Sequence, residues 1–485
     1  MKLKFKPAAS LVLAAVLVSL SACGGGGGDD KSAMASGGAD DGGSVIDGGG
    51  VTNPGGSETD HSSIHDIAFS SFEVSLPQNL RPLTNSAYEI YAVKPSIRFS
   101  ISEDNTLDTY WEGVPSVADA NRHLSRISLA SKGIVSDIPL PSAVNVGNTT
   151  FLGYEYLGND RYITGVSSSN ASDIERKSPT YQMFDHTGAI KYTLDLWKDT
   201  PDAHAAARSG QGLIVYNKKI DNFGIYLARR DANSHQAAWL SFHEAATGRQ
   251  TFSRPWYISH NFDHRLLPLN DGRYLAAAHA DSMPSRGLLL EKWSFNDSPW
   301  SRTWSNVAPF PKSATSNYNI TNAATGDILE LPNGEIAVLY TTQRATGVND
   351  QPRDVRLAIF KNVGVAKQSA VKVKDVWLTN YNGAETAGWG AQMAHYSDGK
   401  IFLAWNVFDP AKPAVPTKSS MAIVDYNGTV LSSKDIVLPN ATGGNSRLVQ
   451  PSQTIRTTAD GKNLVFLSEG SAPDKLRVNM VAITQ

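Results

Sequence analysis

A polar turn followed by an apolar strand recurs through the chain at near-constant intervals, and this limits the fold more than any other feature. The instances are Asp160-Arg-Tyr-Ile-Thr-Gly-Val166, Gln211-Gly-Leu-Ile-Val-Tyr216, Asp271-Gly-Arg-Tyr-Leu-Ala-Ala-Ala278, Asn333-Gly-Glu-Ile-Ala-Val-Leu-Tyr340, Asp398-Gly-Lys-Ile-Phe-Leu-Ala-Trp405 and Asp460-Gly-Lys-Asn-Leu-Val-Phe-Leu467. Successive starts are 51, 60, 62, 65 and 62 residues apart. Asp-Gly and Asn-Gly suit tight hairpins because both central positions tolerate φ > 0.

A second hairpin follows in most units. It reads Tyr181-Gln-Met-Phe-Asp-His-Thr-Gly-Ala-Ile-Lys-Tyr-Thr-Leu194 in one and Trp239 to Phe252 in the next. Leu357 to Gly364 and Met421 to Leu431 share the pattern. Each unit therefore predicts a four-stranded antiparallel meander. One such sheet cannot bury both faces, and radial packing solves this. The expected fold is all-β: a β-propeller of about seven four-stranded blades, with six or eight as alternatives. Six units are explicit. Tyr88–Leu140 supplies a seventh through strands at Tyr88–Val93, Ser96–Ile101 and Leu124–Leu129. Ala68–Leu76 is placed to close the ring by pairing with Lys475–Ile483. The competing fold is a pair of β-sandwiches. No Gly-His…Trp-Asp pattern is present, so the likeness is to propeller architecture and to no named family.

Composition bears on partners. The chain of 485 residues has a formal charge of −2. Loss of Lys2, Lys4 and Lys6 with residues 1–22 brings it to −5. Eight acids against Lys31 between Cys23 and Asp66 then leave the remaining domain at +2. No basic footprint of a nucleic-acid binder appears. The single cysteine rules out an internal disulfide.

The first residues have a function of their own. Met1-Lys-Leu-Lys-Phe-Lys6 is basic, and Leu11-Val-Leu-Ala-Ala-Val-Leu-Val18 is apolar but shorter than the ~20 residues a spanning helix needs. Leu20-Ser21-Ala22-Cys23 follows, with the chain's only cysteine at its end. This segment resembles the lipobox of bacterial lipoproteins. The resemblance implies a diacylglycerol on Cys23, cleavage between Ala22 and Cys23, and acylation of the new amino group by a chain such as palmitate. Two or three acyl chains anchor stably where one does not. Gly24, rather than Asp, after the cysteine implies sorting to the outer membrane by the same resemblance.

Residues 23–64 read as a disordered tether. Gly24–Gly28, Asp40-Asp-Gly-Gly43, Gly48–Gly50 and Asn53-Pro-Gly-Gly56 alternate with acids, and Phe, Tyr and Trp are absent between Cys23 and Phe69. Such a stretch cannot offset its ordering entropy. Its r.m.s. span is roughly 35 Å. The acids lack the alternating ligands of an EF-type calcium loop. The organisation is thus a signal peptide (1–22), a tether (23–64) and a propeller domain (65–485).

The innermost strand of each blade should precede the Asp-Gly turn and line the channel. Segments just before it are rich in polar and aromatic groups: Ser259–Arg265, Thr321–Asp327, Ala387–Gln392 and Val449–Gln453. His260, His264, Arg265, Asn322, Trp389, Gln392, Gln450 and Gln453 are the candidates for a ligand-binding ring at the channel mouth. His260 and His264 lie too far apart on an extended strand to share a metal, and no third ligand is evident. No metal and no cofactor is expected. The chain lacks a Gly-x-Ser-x-Gly elbow, a His-Glu-x-x-His helix and a phosphate loop. Asp263, Asp281, Asp327 and Glu385 are the carboxylates from which a glycosidase pair would come. A lyase would use His260 with Arg265. The leading expectation is a lipid-anchored binding or assembly module of the cell envelope, probing a glycan, a peptide or another envelope protein. The alternatives are a polysaccharide-degrading hydrolase or lyase, and an envelope scaffold. The motifs leave open whether the domain is an enzyme.

Overall fold

A computed structural model describes residues 66–81, 97–114, 122–140, 149–168, 179–196, 207–230, 236–256, 264–280, 287–293, 302–309, 324–344, 352–365, 368, 370–388, 390–412, 414–449 and 455–484. The chain divides into two units, Met1–His61 and Ser62–Gln485. The description concerns the second. Cys23, the tether and the strand expected at Tyr88–Val93 lie outside the described residues.

Seven antiparallel sheets are present among these residues, and no helix. Blade 1 holds Ile97–Ile101, Thr106–Glu112, Arg122–Ser128 and Gly133–Pro139. Blade 2 holds Thr149–Tyr156, Tyr162–Ser168, Thr180–Phe184 and Ile190–Asp195. Blade 3 holds Ala207–Asn217, Asn222–Arg230, Gln236–Glu244 and Gln250–Trp256. Blade 4 holds Arg265–Pro268, Tyr274–Ala280, Gly287–Trp293 and Arg302–Pro309. Blade 5 holds Ala324–Glu330, Ile336–Gln343, Arg353–Lys361 and Val371–Trp377. In blade 6 the first strand is split into Thr386–Ala387 and Gln392–Ser397, followed by Lys400–Phe408, Pro416–Asp425 and Val430–Ile436. Blade 7 holds Arg456–Thr457, Asn463–Glu469 and Lys475–Ala482, and its outer strand is Phe69–Ser75 from the other end of the sequence. The closing register runs from Phe69 opposite Val481 to Ser75 opposite Lys475, as the pattern of the two segments predicts.

Seven apolar clusters decide between a ring and two sandwiches. Each joins one blade to the next. Tyr110 and Leu124 of blade 1 meet Phe151 and Tyr162 of blade 2, and so on round the series. The last joins Val465, Leu467 and Val478 of blade 7 to Ile97, Phe99 and Trp111 of blade 1. A series of blade contacts that returns to its start is a closed propeller. Middle strands are therefore buried on both faces and read as continuous apolar runs. Ile336–Gln343 is buried throughout, whereas the outer strand Val371–Trp377 is not buried at any position.

The turn chemistry is narrower than the sequence reading: in each Asp-Gly or Asn-Gly pair only the glycine takes a positive φ, and Asp271, Asn333, Asp398 and Asp460 do not. Gly272, Gly334, Gly399 and Gly461, in the Asp-Gly and Asn-Gly turns, have φ between 71° and 91°. Asn159 and Asp160 occupy the left-handed region in the blade 2 hairpin. One turn reading is corrected. Gln211-Gly212 is not a turn; it lies within the first strand of blade 3, and the hairpin follows at Lys218–Asp221. The glycine serves close approach of two first strands: a Cβ at 212 would lie 1.9 Å from the carbonyl oxygen of Leu152 in blade 2.

Candidate functional site

The first strands of all seven blades line one cavity of about 500 Å³ on the propeller axis. It runs from Arg98, Arg265 and Asp327 near the strand starts to Glu103, Asn159 and Lys218 in the hairpin turns. The turn face carries an exposed pair, Lys218 Nζ to Glu103 Oε1 at 3.5 Å. Tyr154, Tyr156 and Tyr216 add aromatic wall.

The inner groups are buried and charged. Asp327 Oδ1 accepts from the Ile328 N–H at 2.9 Å, and Oδ2 accepts from the Met393 N–H of blade 6 at 3.1 Å. Burial raises its carboxyl to about 6, against the charge of Arg265 and these two hydrogen bonds. Arg265 donates from Nε to the Gly326 carbonyl at 2.7 Å and from Nη2 to that of Thr325 at 3.3 Å, both on blade 5. Glu155 of blade 2 accepts from Arg456 Nη2 of blade 7 on both oxygens, at 3.0 and 2.9 Å, across the first strand of blade 1, and from the Tyr156 N–H at 3.1 Å. Burial raises the Glu155 carboxyl too, with Arg456 opposing. Tyr154 donates to the Asp108 carbonyl and is held far above the ordinary phenol range by burial, so it is a hydrogen-bonding group rather than a base. His395 Nε2 lies 2.8 Å from the Glu330 carbonyl, which only accepts. Nε2 therefore carries the proton, and Nδ1 is the acceptor in the neutral ring.

Arg98 stands apart. It is 7% exposed, and Nη1 donates to the Ile97 carbonyl at 3.0 Å. Its Nη2 is buried and meets no acceptor among the described residues. Burial, with Tyr110 and Glu112 opposing and Arg265 adding to it, lowers its pKa to about 9. The guanidinium is still a cation at neutral pH.

Three of the ring candidates fall among the described residues. Arg265 lines the cavity. His264 packs its ring against Tyr226 at 4.4 Å, in the blade wall and outside the cavity lining. Gln392 is buried beside the cavity and donates to the Gly390 carbonyl at 3.3 Å. His260, Asn322, Trp389, Gln450 and Gln453 lie outside the described residues, as do Asp263 and Asp281. Of the remaining carboxylates, Asp327 lines the cavity, and Glu385 is paired with Lys418 at 2.9 Å. Sequence reasoning missed Arg98, Glu155, His395 and Arg456. A signal existed for Arg98: in Ile97-Arg-Phe-Ser-Ile101 the polar residues alternate with apolar ones, so one side of the strand faces something polar.

No protein-family model matches the chain, and no curated protein matches it in sequence. Solved structures resemble it in architecture. The polysaccharide lyase Uly1 superposes with a TM-score of 0.46 at 10% identity, over 86% of this chain and 100% of its own. The N-terminal domain of Nup159 gives 0.41 at 8% identity, over 86% and 96%. An α-L-arabinofuranosidase of Fusarium graminearum gives 0.40 at 10% identity, over 69% and 93%. Likeness at this level assigns no activity, since one architecture hosts many functions.

Proposed function

We propose that the domain is a polysaccharide-degrading enzyme, hydrolase or lyase, working in the axial cavity. One observation carries the reading: two carboxyls, Asp327 and Glu155, line the same cavity and are both raised by burial. A carboxyl poised near 6 holds and releases a proton close to neutral pH, which glycosidic cleavage requires. Arg265 and Arg456 beside them supply positive charge, and the tyrosines supply flat apolar faces for sugar rings. Asp327 is the proposed proton donor. In the lyase form His395 Nδ1 is the proposed base.

The test incubates the full chain with a panel of neutral and acidic polysaccharides. Hydrolysis releases reducing ends alone; elimination also yields an unsaturated product seen by its ultraviolet absorbance. D327N is expected to lower kcat by about 10²–10⁴-fold. No product from any polymer, or full activity in D327N, defeats the reading.

A binding role is the second reading. It is favoured by the hydrogen bonds that Asp327 and Glu155 already accept, which hold the blades together. The place of action belongs to the same proposal: a lipid on Cys23 holds the protein at the bacterial outer membrane. C23S is expected to move it from the membrane fraction to the soluble fraction.

A further inference from the structure

We infer that the axial cavity takes the carboxylate of an acidic sugar, held by Arg98 and Arg456. This rests on the polysaccharide reading above and names its substrate class.

The inference comes from counting partners around buried charge. A buried guanidinium is costly unless its N–H groups find acceptors. The cavity acids Glu155 and Asp327, and Glu112, which acts on Arg98 electrostatically, are committed elsewhere. Glu155 accepts from Arg456 on both oxygens. Asp327 accepts two backbone N–H groups, one on each oxygen. Glu112 accepts from Arg122, Tyr110 and Arg81. Arg98 Nη2 is left without an acceptor. On the neighbouring blade, Arg456 Nε is also buried without one. Both residues line the cavity, on first strands that lie side by side round the ring. Arg265 adds a third cation and opposes Arg98 electrostatically. An anion entering here gains open donors and relieves repulsion between like charges.

The chemistry selects among anions. A guanidinium fork matches a planar carboxylate in two parallel hydrogen bonds. The tyrosines nearby suit the ring that bears the carboxylate better than a bare inorganic ion. A uronic acid unit satisfies both demands, whereas a neutral hexose leaves the guanidinium N–H groups unpaired.

Binding to the full chain is measured by calorimetry and by melting temperature with glucuronate, glucose, sulfate and phosphate as probes. Glucuronate is expected to bind and raise the melting temperature, and glucose to do neither. R98M is expected to weaken glucuronate by at least about tenfold. R98K, which keeps the charge and loses the fork, should fall between them. A circular dichroism spectrum and melting curve establish that each variant folds, and R98K serves alone if R98M does not. Equal glucuronate affinity in the variants overturns the inference, as does sulfate or phosphate binding as tightly as glucuronate. Failure of the wild-type chain to bind glucuronate also overturns it. If neutral polymers are cleaved while glucuronate is ignored, the inference falls and the polysaccharide reading stands. If glucuronate binds through Arg98 and no polymer is cleaved, the enzyme reading falls alone.

Discussion

Blade 1 contains two buried arginines that differ in one respect. Arg122, on its third strand, donates from Nε to Glu112 at 3.0 Å. Glu112 also accepts from the Tyr110 hydroxyl at 2.8 Å and from Arg81 Nη1 at 3.2 Å. Arg98, on the first strand, feels Glu112 only at a distance and, among the described residues, has no ion pair and a buried nitrogen with no acceptor. Both are within a few per cent of full burial. The matched cluster is a structural joint: Arg122 has a counter-charge in Glu112, which the Tyr110 hydroxyl and Arg81 also hold. The unmatched one sits on a cavity, where a ligand can supply the acceptor that the fold leaves out at a cost in stability. Burial of charge therefore does not distinguish structure from function here, and satisfaction of its hydrogen bonds does.

The largest effect should come from breaking the joint. E112A leaves Arg122 buried without its counter-charge, and urea unfolding should show a loss of about 3–5 kcal/mol. A loss under about 1 kcal/mol would mean that the two arginines are not different in kind. R98M should do the reverse: unfolding stability unchanged or raised by ~1 kcal/mol, because an unpaired buried charge is removed.

A pH titration sharpens the contrast on the acidic side. Asp327 has a folded-state carboxyl raised from 3.8 to about 6. Its contribution to stability is fully present below about 4 and is lost as pH rises through about 6. Asp108 of blade 1 is raised to about 6 as well, by burial against the pull of Arg126. Melting temperature measured between pH 4 and 7 should fall through these groups. D327N should flatten part of that slope and leave the Asp108 share. The smallest effect belongs to the exposed pair at the turn face: K218A should change stability by less than about 0.5 kcal/mol. A larger change would give the rim a structural role that its exposure argues against.

What the sequence reveals and conceals follows the range of the forces. The hairpins at Asp271-Gly272, Asn333-Gly334, Asp398-Gly399 and Asp460-Gly461 are legible because a positive φ at the second residue calls for glycine, and Asp or Asn favours the turn before it. The closing strand Phe69–Ser75 is legible because apolar residues alternate with polar ones at Phe72, Val74 and Leu76 and again at Leu476, Val478 and Met480. Gly212 misleads because its reason is a carbonyl on another blade, sixty residues back in the chain. Asp327 and Arg265 were within reach as polar residues ahead of a turn. Alternation in Ile97–Ile101 marks Arg98 as lying on a polar side, but that Arg98 and Arg456 each keep an unused donor is not legible, since it depends on which acids the ring brings across its axis and which of them are already taken. The expectation of a binding module gives way to the enzyme reading for the same reason: raised carboxyls arise from burial in the assembled cavity, and no local pattern announces them.

The pairing of Phe69–Ser75 with Lys475–Ala482 sets a timetable for biogenesis. The strand that emerges first must wait for the strand that emerges last. Until then six sheets and part of a seventh form an open arc whose two end faces, destined to meet through Val465, Leu467, Ile97 and Phe99, are bare hydrocarbon. The same arrangement makes the last strand the point of failure: a stop codon a few residues early would leave an arc with sticky ends, and aggregation rather than loss of one blade is the expected fate.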